Sequence, residues 1–204
     1  MIPDLAASLP APLWVLGTDT GVGKTRVSAA LAAAWAAEGP VTYRKPFQTG
    51  VRDGSDPEAD AQAVAGPGIR AETGLVLAAP LSPLAAAERE GRVLDLDTLA
   101  AWAARPAEGR LLLEGVGGVA VPLAPGRVFA AWALDLGFPA VVVARGGLGT
   151  LNHTLLTCEA LMLRGWRVPA VLLNPGLDGS HAAAAENAAI LARFLPVPVH
   201  VLED

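Results

Sequence analysis

Short apolar runs alternate along the chain with longer stretches in which alanine and leucine recur at helical spacing. The runs at 13–17 (LWVLG), 40–46 (PVTYRKP), 110–115 (RLLLEG), 139–145 (PAVVVAR), 168–174 (VPAVLLN) and 197–202 (VPVHVL) predict strands. The stretches 24–39, 55–66, 82–90, 95–105, 127–137, 150–165 and 180–194 predict helices. The first of these is expected to end at Gly39 as a C-terminal cap. The second is expected to begin at Asp56 as N-cap, with Pro57 in its first turn. Positions 67–81 show no clear period. Strands that lack polar alternation are covered on both faces, and strands separated by helices run parallel. The pattern therefore predicts an α/β fold, a mostly parallel central β-sheet with helices on both faces, as one domain over residues 1–204. In such a sheet, function gathers at the carboxyl ends of the strands.

Four strand ends carry chemistry. The first is GTDTGVGKT, Gly17 to Thr25, between a strand and a helix. Glycines let backbone N–H groups turn toward phosphate oxygens, and the helix N-terminus favours anions. Lys24 is placed to reach the β- and γ-phosphates, and the Thr25 hydroxyl to bind Mg²⁺. The standard pattern G-x-x-x-x-G-K-[ST] puts its first glycine at position 18, yet that residue is threonine and the glycine is Gly17. The loop is thus one residue longer, within a fold expected to be P-loop NTPase-like. The second strand end is RKPFQTG (44–50), where Lys45 points across the top of the sheet or lies on the surface before a turn. The third is LLLEGVGG (111–118), where Glu114 ends a strand as a candidate magnesium ligand. Asp60, in the acidic stretch DGSDPEAD, is either a second carboxylate or a solvated helix-start acid. The fourth is RGGLGTLNHT (145–154), a second candidate anion site at a helix start. His153 there is read as structural.

Composition narrows the picture. The net charge of −5 argues against a nucleic-acid surface. No uninterrupted apolar run of about 18 residues predicts a membrane span, and the opening MIPDLAASLPAP lacks a basic, apolar leader pattern. A cytoplasmic protein is expected. Cys158 is the single cysteine and is expected to be a small buried residue. Only Lys24 and Lys45 among the 15 basic residues are lysine. A compact ammonium differs from a planar guanidinium, so Lys45 draws attention beside Lys24.

In this order, the four segments resemble those of dethiobiotin synthetases. The likeness is carried by Gly17–Thr25, by Lys45, Pro46, Thr49 and Gly50, by Glu114–Gly118 with Val121-Pro122-Leu123, and by Gly147–Thr154. It spans roughly residues 17–175. The resemblance implies an ATP-dependent ligase that forms dethiobiotin from 7,8-diaminononanoate and CO₂ or bicarbonate, with Mg²⁺. It implies Lys24 and Lys45 as catalytic cations, and Thr25, Asp60 and Glu114 as metal ligands. Gly21, Val22, Gly23, Lys24, Thr25, Arg26, Asp60, Glu114, Gly115, Val116, Gly117 and Asn174 are implied to bind ATP. Thr49 is implied to bind the diamine end, and Thr150, Leu151 and Asn152 the distal carboxylate, from the partner of a homodimer. Many relatives carry a side chain where this loop has Gly21. Relatives often continue past position 204, so base recognition is expected to be looser or to use Pro198, His200 or Glu203.

Rival readings are a partition- or cell-division-type ATPase switch, a cobyrinate amidase-type synthetase and a non-catalytic regulatory module of the same fold. The first usually carries a further lysine early in the loop, as K-G-G-x-G-K-T, which is absent here. The second is expected to need a glutaminase domain, for which 204 residues leave no room. Both lysines and both acids are retained, against the third.

Overall fold

The computed structural model describes residues 2–176 and 181–203. Its elements are α1 (Ile2–Ser8), β1 (Leu13–Gly17), α2 (Lys24–Ala36), β2 (Val41–Thr49), α3 (Asp60–Val64), β3 (Ile69–Leu77), α4 (Pro83–Arg89), α5 (Leu96–Ala104) and β4 (Arg110–Glu114). They continue with β5 (Pro122–Ala124), β6 (Arg127–Val128), α6 (Phe129–Leu134), β7 (Ala140–Arg145), α7 (Thr150–Leu163), β8 (Val171–Asn174), α8 (His181–Leu191) and β9 (Val199–Val201). Seven strands form one sheet in the order β3-β2-β4-β1-β7-β8-β9. Every pairing in it is parallel. β5 and β6 form a separate antiparallel pair.

The continuous apolar strands are explained by burial on two sides. Leu13 and Val15 of β1 pack with α1, α2 and α3, while Trp14 and Leu16 pack with α5, α6, α7 and α8. Successive strand residues point to opposite faces, so a strand covered twice has no polar phase. Trp14, Phe47, Phe129 and Trp132 form an edge-on aromatic cluster on the second face. Cys158 lies fully buried there, as expected. Burial pushes its thiol up to about 12. Among the described residues no helix is long and apolar enough to cross a membrane.

Several boundaries differ from the sequence-based expectation. α2 stops at Ala36, short of Gly39. β2 runs through Pro46 to Thr49, because its pairing with β4 ends at Arg44 and leaves that side of the strand without a ladder partner. The unclear segment is β3, an edge strand whose residues are mostly half-buried, so no two-residue alternation is visible. The helix expected from Asp56 begins only at Asp60. The Asp53 side chain accepts from Ser55, and that of Asp56 from the Arg52 and Glu58 amides. Such local side-chain bonds favour turns over helix. Helix 127–137 shortens to α6, because 127–128 pairs with 122–124 instead. Position 180, the expected start of the last helix, lies outside the described residues. α1 was not anticipated; the indole of Trp35 donates to its Ala6 carbonyl at 2.9 Å.

Candidate active site at the carboxyl edge of the sheet

The loop after β1 opens at the centre of the sheet, between β4 and β7. Lys24 opens α2 and folds back over the loop. Its Nζ donates to the carbonyls of Asp19 and Gly117, each at 2.9 Å. A side chain at Gly17 would lie 3.0 Å from Lys24 Cδ and Nζ. Gly17 therefore clears the path of the lysine, one position earlier than in the standard loop. Gly23 has φ 98°, and an added Cβ there would sit 2.2 Å from Asn174 Nδ2. That amide donates to the Val22 carbonyl at 3.1 Å, so the loop is pinned to the end of β8. Arg26 donates to Asn174 Oδ1 at 3.1 Å and to the Glu203 carbonyl at 3.2 Å.

Lys45 projects from β2 into the same region and is 4% exposed. Its Nζ lies 2.6 Å from Asp60 Oδ2 and 2.7 Å from Glu114 Oε1, and donates to the Gly115 carbonyl at 2.9 Å. The Thr25 hydroxyl stands 3.0 Å from Asp60 Oδ1 and 2.9 Å from Glu114 Oε1. Both ambiguous residues are thus resolved: Lys45 is not a surface lysine, and Asp60 faces the site. Burial is the largest influence on Lys45, but the Glu114 and Asp60 carboxylates outweigh it and raise its pKa. Lys24 goes the other way, down to about 8, through burial and then repulsion from Lys45. Burial and the Glu114 carboxylate push the Tyr43 phenol well above its ordinary range.

Lys24, Thr25, Lys45, Asp60 and Glu114 line one cavity of about 430 Å³. Of the anticipated residues, Gly21, Gly23, Lys24, Thr25, Arg26, Lys45, Thr49, Asp60, Glu114, Val116, Gly117 and Asn174 line it. Val22 and Gly115 sit behind it and contribute carbonyls to Asn174 and Lys45. Thr150, Leu151 and Asn152 start α7 as expected, but they are outside the cavity lining within one chain. Thr150 is buried, with Oγ1 3.2 Å from Thr154 Oγ1. His153 is exposed in that same first turn. Gln48, Ser28 and Tyr43 were missed. Gln48 Oε1 accepts the Asp60 amide at 3.0 Å, at a helix start where Ala59 offers no side-chain cap. The helical and strand repeats from Thr25 and Lys45 could have pointed to Ser28 and Tyr43; nothing in the sequence pointed to Gln48.

The donor set suits a small, hard cation. A hydroxyl and two carboxylates converge, and the Lys45 ammonium supplies positive charge between them. Among the described residues no group of three or more His, Cys, Asp or Glu is arranged to hold a metal ion by itself. A cation here would draw its remaining ligands from phosphate and water, the usual habit of magnesium.

Comparison with known proteins separates fold from family. The chain resembles the MinD septum site-determining protein of Pyrococcus horikoshii, solved with Mg-ADP, with TM-score 0.55 and 16% identity over 94% of this chain and 81% of that one. It resembles a ParA family ATPase of Chlorobium tepidum with TM-score 0.56 and 12% identity, over 94% and 83%. At these identities the likeness speaks for the fold alone. A family model described as an AAA domain matches residues 12–200. The ATP-dependent dethiobiotin synthetase of Paramagnetospirillum magneticum is 43% identical over 192 residues, 91% of this chain and 88% of its own. The chain belongs to the dethiobiotin synthetase family. The synthetase of Anaeromyxobacter sp. strain Fw109-5 is likewise 43% identical, over 89% of this chain and 84% of its own. Family membership and the P-loop fold thus agree with the segment order from Gly17 to Thr154.

Proposed function

We propose that this chain closes the cyclic urea of dethiobiotin on 7,8-diaminononanoate, using CO₂ and ATP. Membership in the synthetase family makes it a ligase of biotin biosynthesis that uses ATP. The observation that carries the finer reading is the convergence of two buried lysines, two carboxylates and a hydroxyl in one cavity. Phosphoryl transfer depends on positioning and charge neutralisation more than on covalent help from the protein, and this cavity supplies both.

The reaction runs in three balanced steps. One substrate amine adds to CO₂, forming an N–C bond and losing a proton to give a carbamate. A carbamate oxygen then attacks the γ-phosphorus, and ADP leaves. The second amine attacks the carbonyl carbon of the mixed anhydride and gives up a proton, the C–O bond to inorganic phosphate breaks, and the ring closes. Loop amides from Gly21 to Thr25 cradle the phosphates, and Lys24 neutralises the transferring group. Lys45 reaches the same oxygens from β2 and orients the carbamate. Thr49 holds the diamine end. Thr25, Asp60 and Glu114 would hold Mg²⁺, which supplies charge neutralisation at the phosphates when bound. Asn174 and Arg26 lie toward the base. In a homodimer, the start of α7 at Thr150, Leu151 and Asn152 takes the distal carboxylate from the partner's side.

The test is direct. The protein is incubated with Mg-ATP, bicarbonate and 7,8-diaminononanoate, and phosphate release and cyclic urea are measured together. Diamine-dependent, stoichiometric formation of both is expected. ATP turnover indifferent to the diamine would sink the reading.

A further inference from the structure

Glu114 divides its two oxygens between two sets of partners. Oε1 accepts from Thr25 Oγ1 at 2.9 Å and Lys45 Nζ at 2.7 Å, and both partners line the cavity. Oε2 turns away from it and accepts from Ser28 Oγ at 2.7 Å and Tyr43 OH at 3.0 Å. Ser28 and Tyr43 are both 0% exposed and lie outside the cavity lining.

Their placement follows from chain periodicity. On α2, Ser28 comes three residues after Thr25, which puts both on one helix face. On β2, Tyr43 comes two residues before Lys45, which puts both on one face of the sheet. Each element therefore sends one group into the cavity and one behind Glu114. The two oxygens of a carboxylate are chemically equal, and its terminal torsion is broad and roughly two-fold. With nothing on Oε2, the group could turn and offer either oxygen or both. Two buried hydroxyl donors on one oxygen remove that freedom.

We propose that Ser28 and Tyr43 are positioning residues that hold Glu114 as a one-oxygen ligand, and so set the site's preference for magnesium over calcium. The inference rests on the reading that Thr25, Asp60 and Glu114 hold the cation. Magnesium demands near-octahedral geometry and takes few protein ligands, whereas calcium accepts six to eight oxygens and readily takes both oxygens of a carboxylate. A glutamate fixed through its rear oxygen suits the first ion and denies the second its two-oxygen grip.

The experiment uses the full chain and the variants Tyr43→Phe, Ser28→Ala and the double variant. Calorimetry measures ADP affinity with magnesium alone and with calcium alone, and thermal unfolding is followed in parallel. The wild type is expected to bind ADP more tightly with magnesium than with calcium. The double variant is expected to cut that ratio about tenfold or more, the usual scale for removing groups that support a metal ligand. Magnesium-supported binding weakens, while calcium-supported binding holds or tightens. Tyr43→Phe, which loses only a hydroxyl, shifts the ratio the same way and serves if the double variant does not fold. A ratio unchanged in the variants overturns the proposal, even where the unfolding temperature falls, because a purely structural role weakens both ions alike. A wild type whose ADP binding ignores magnesium sinks the metal-site reading itself, and this inference with it.

Discussion

Lys45 and Asp60 form an ion pair of 2.6 Å that joins β2 to the first turn of α3. With Glu114 on its other side, the Lys45 ammonium is the cation that lets two carboxylates approach one hydroxyl.

Lys45→Ala removes that cation and leaves the carboxylates facing each other. Turnover should fall on the order of 10³-fold, as when a group that stabilises developing charge is lost. The ligand-free fold should lose on the order of 3–5 kcal/mol, because the Lys45–Glu114 pair is buried on both sides and Glu114 is left without its cation. Circular dichroism should still report a folded chain. Undiminished phosphate release would remove Lys45 from the reaction.

Gln48→Met should uncap α3. The Asp60 amide loses its acceptor, a change that costs about 1 kcal/mol at a helix start. Because Asp60 moves with it, kcat/KM for ATP should fall about tenfold. Gln48→Glu keeps an acceptor oxygen and should retain the cap. Thermal unfolding and steady-state kinetics of both variants check this; a Gln48→Met enzyme matching the wild type would show that Asp60 needs no such support.

Two loop glycines should respond differently. Gly23→Ala pushes a methyl group to within 2.2 Å of the Asn174 amide, at φ 98°. It should break the Asn174–Val22 bond and weaken ADP binding at least about tenfold, since a buried amide left unpaired costs roughly 1–3 kcal/mol. Gly21 has φ 71°, but no heavy atom lies within 4 Å of an added Cβ. Gly21→Ala should therefore cost only the backbone term, about 1–2 kcal/mol, without a clash. ADP titrations of the two variants separate the cases; equal losses would contradict the geometry.

Cys158 should give the chain a stability limb at high pH. Its folded thiol is pushed up to about 12 from an ordinary 9.0 by burial. The folded state holds the proton more tightly, so this contribution is complete below pH 9 and is lost as pH rises toward 12. In that window stability falls by up to about 1.4 kcal/mol per pH unit. Denaturant titrations of the wild type and Cys158→Ala from pH 8 to 11 should show the steeper decline in the wild type. Iodoacetamide at pH 8 should label the chain only after unfolding, and rapid labelling of the native protein would contradict the burial.

The sheet was legible wherever a strand is covered twice, because LWVLG, RLLLEG and AVVVAR leave no polar phase to misread. β3 was illegible for the opposite reason: at the sheet edge, mostly half-buried residues show no alternation. Asp56 misled because its side chain serves a turn that competes with the helix. Lys24, Thr25 and Glu114 were readable from the glycine loop and the end of β4, whereas the residues alone left Lys45 and Asp60 open between the site and the surface. Gln48, Ser28 and Tyr43 were not singled out: the helical and strand repeats from Thr25 and Lys45 mark positions 28 and 43, but what a hydroxyl or an amide does there shows only once its partner is known. That partner, for Ser28 and Tyr43, is the far oxygen of Glu114.

The paired spacings, Thr25 with Ser28 and Tyr43 with Lys45, limit where the chain can change length. An insertion inside either pair would turn one member off its face and separate a cavity group from the hydroxyl that steadies Glu114. The stretch between Gly17 and Gly23 is bound by contacts rather than by period: the Asp19 carbonyl accepts from Lys24, and the Val22 carbonyl from Asn174. Length changes should therefore be most damaging inside either pair, so that two fixed cassettes, one on α2 and one on β2, meet at a single carboxylate.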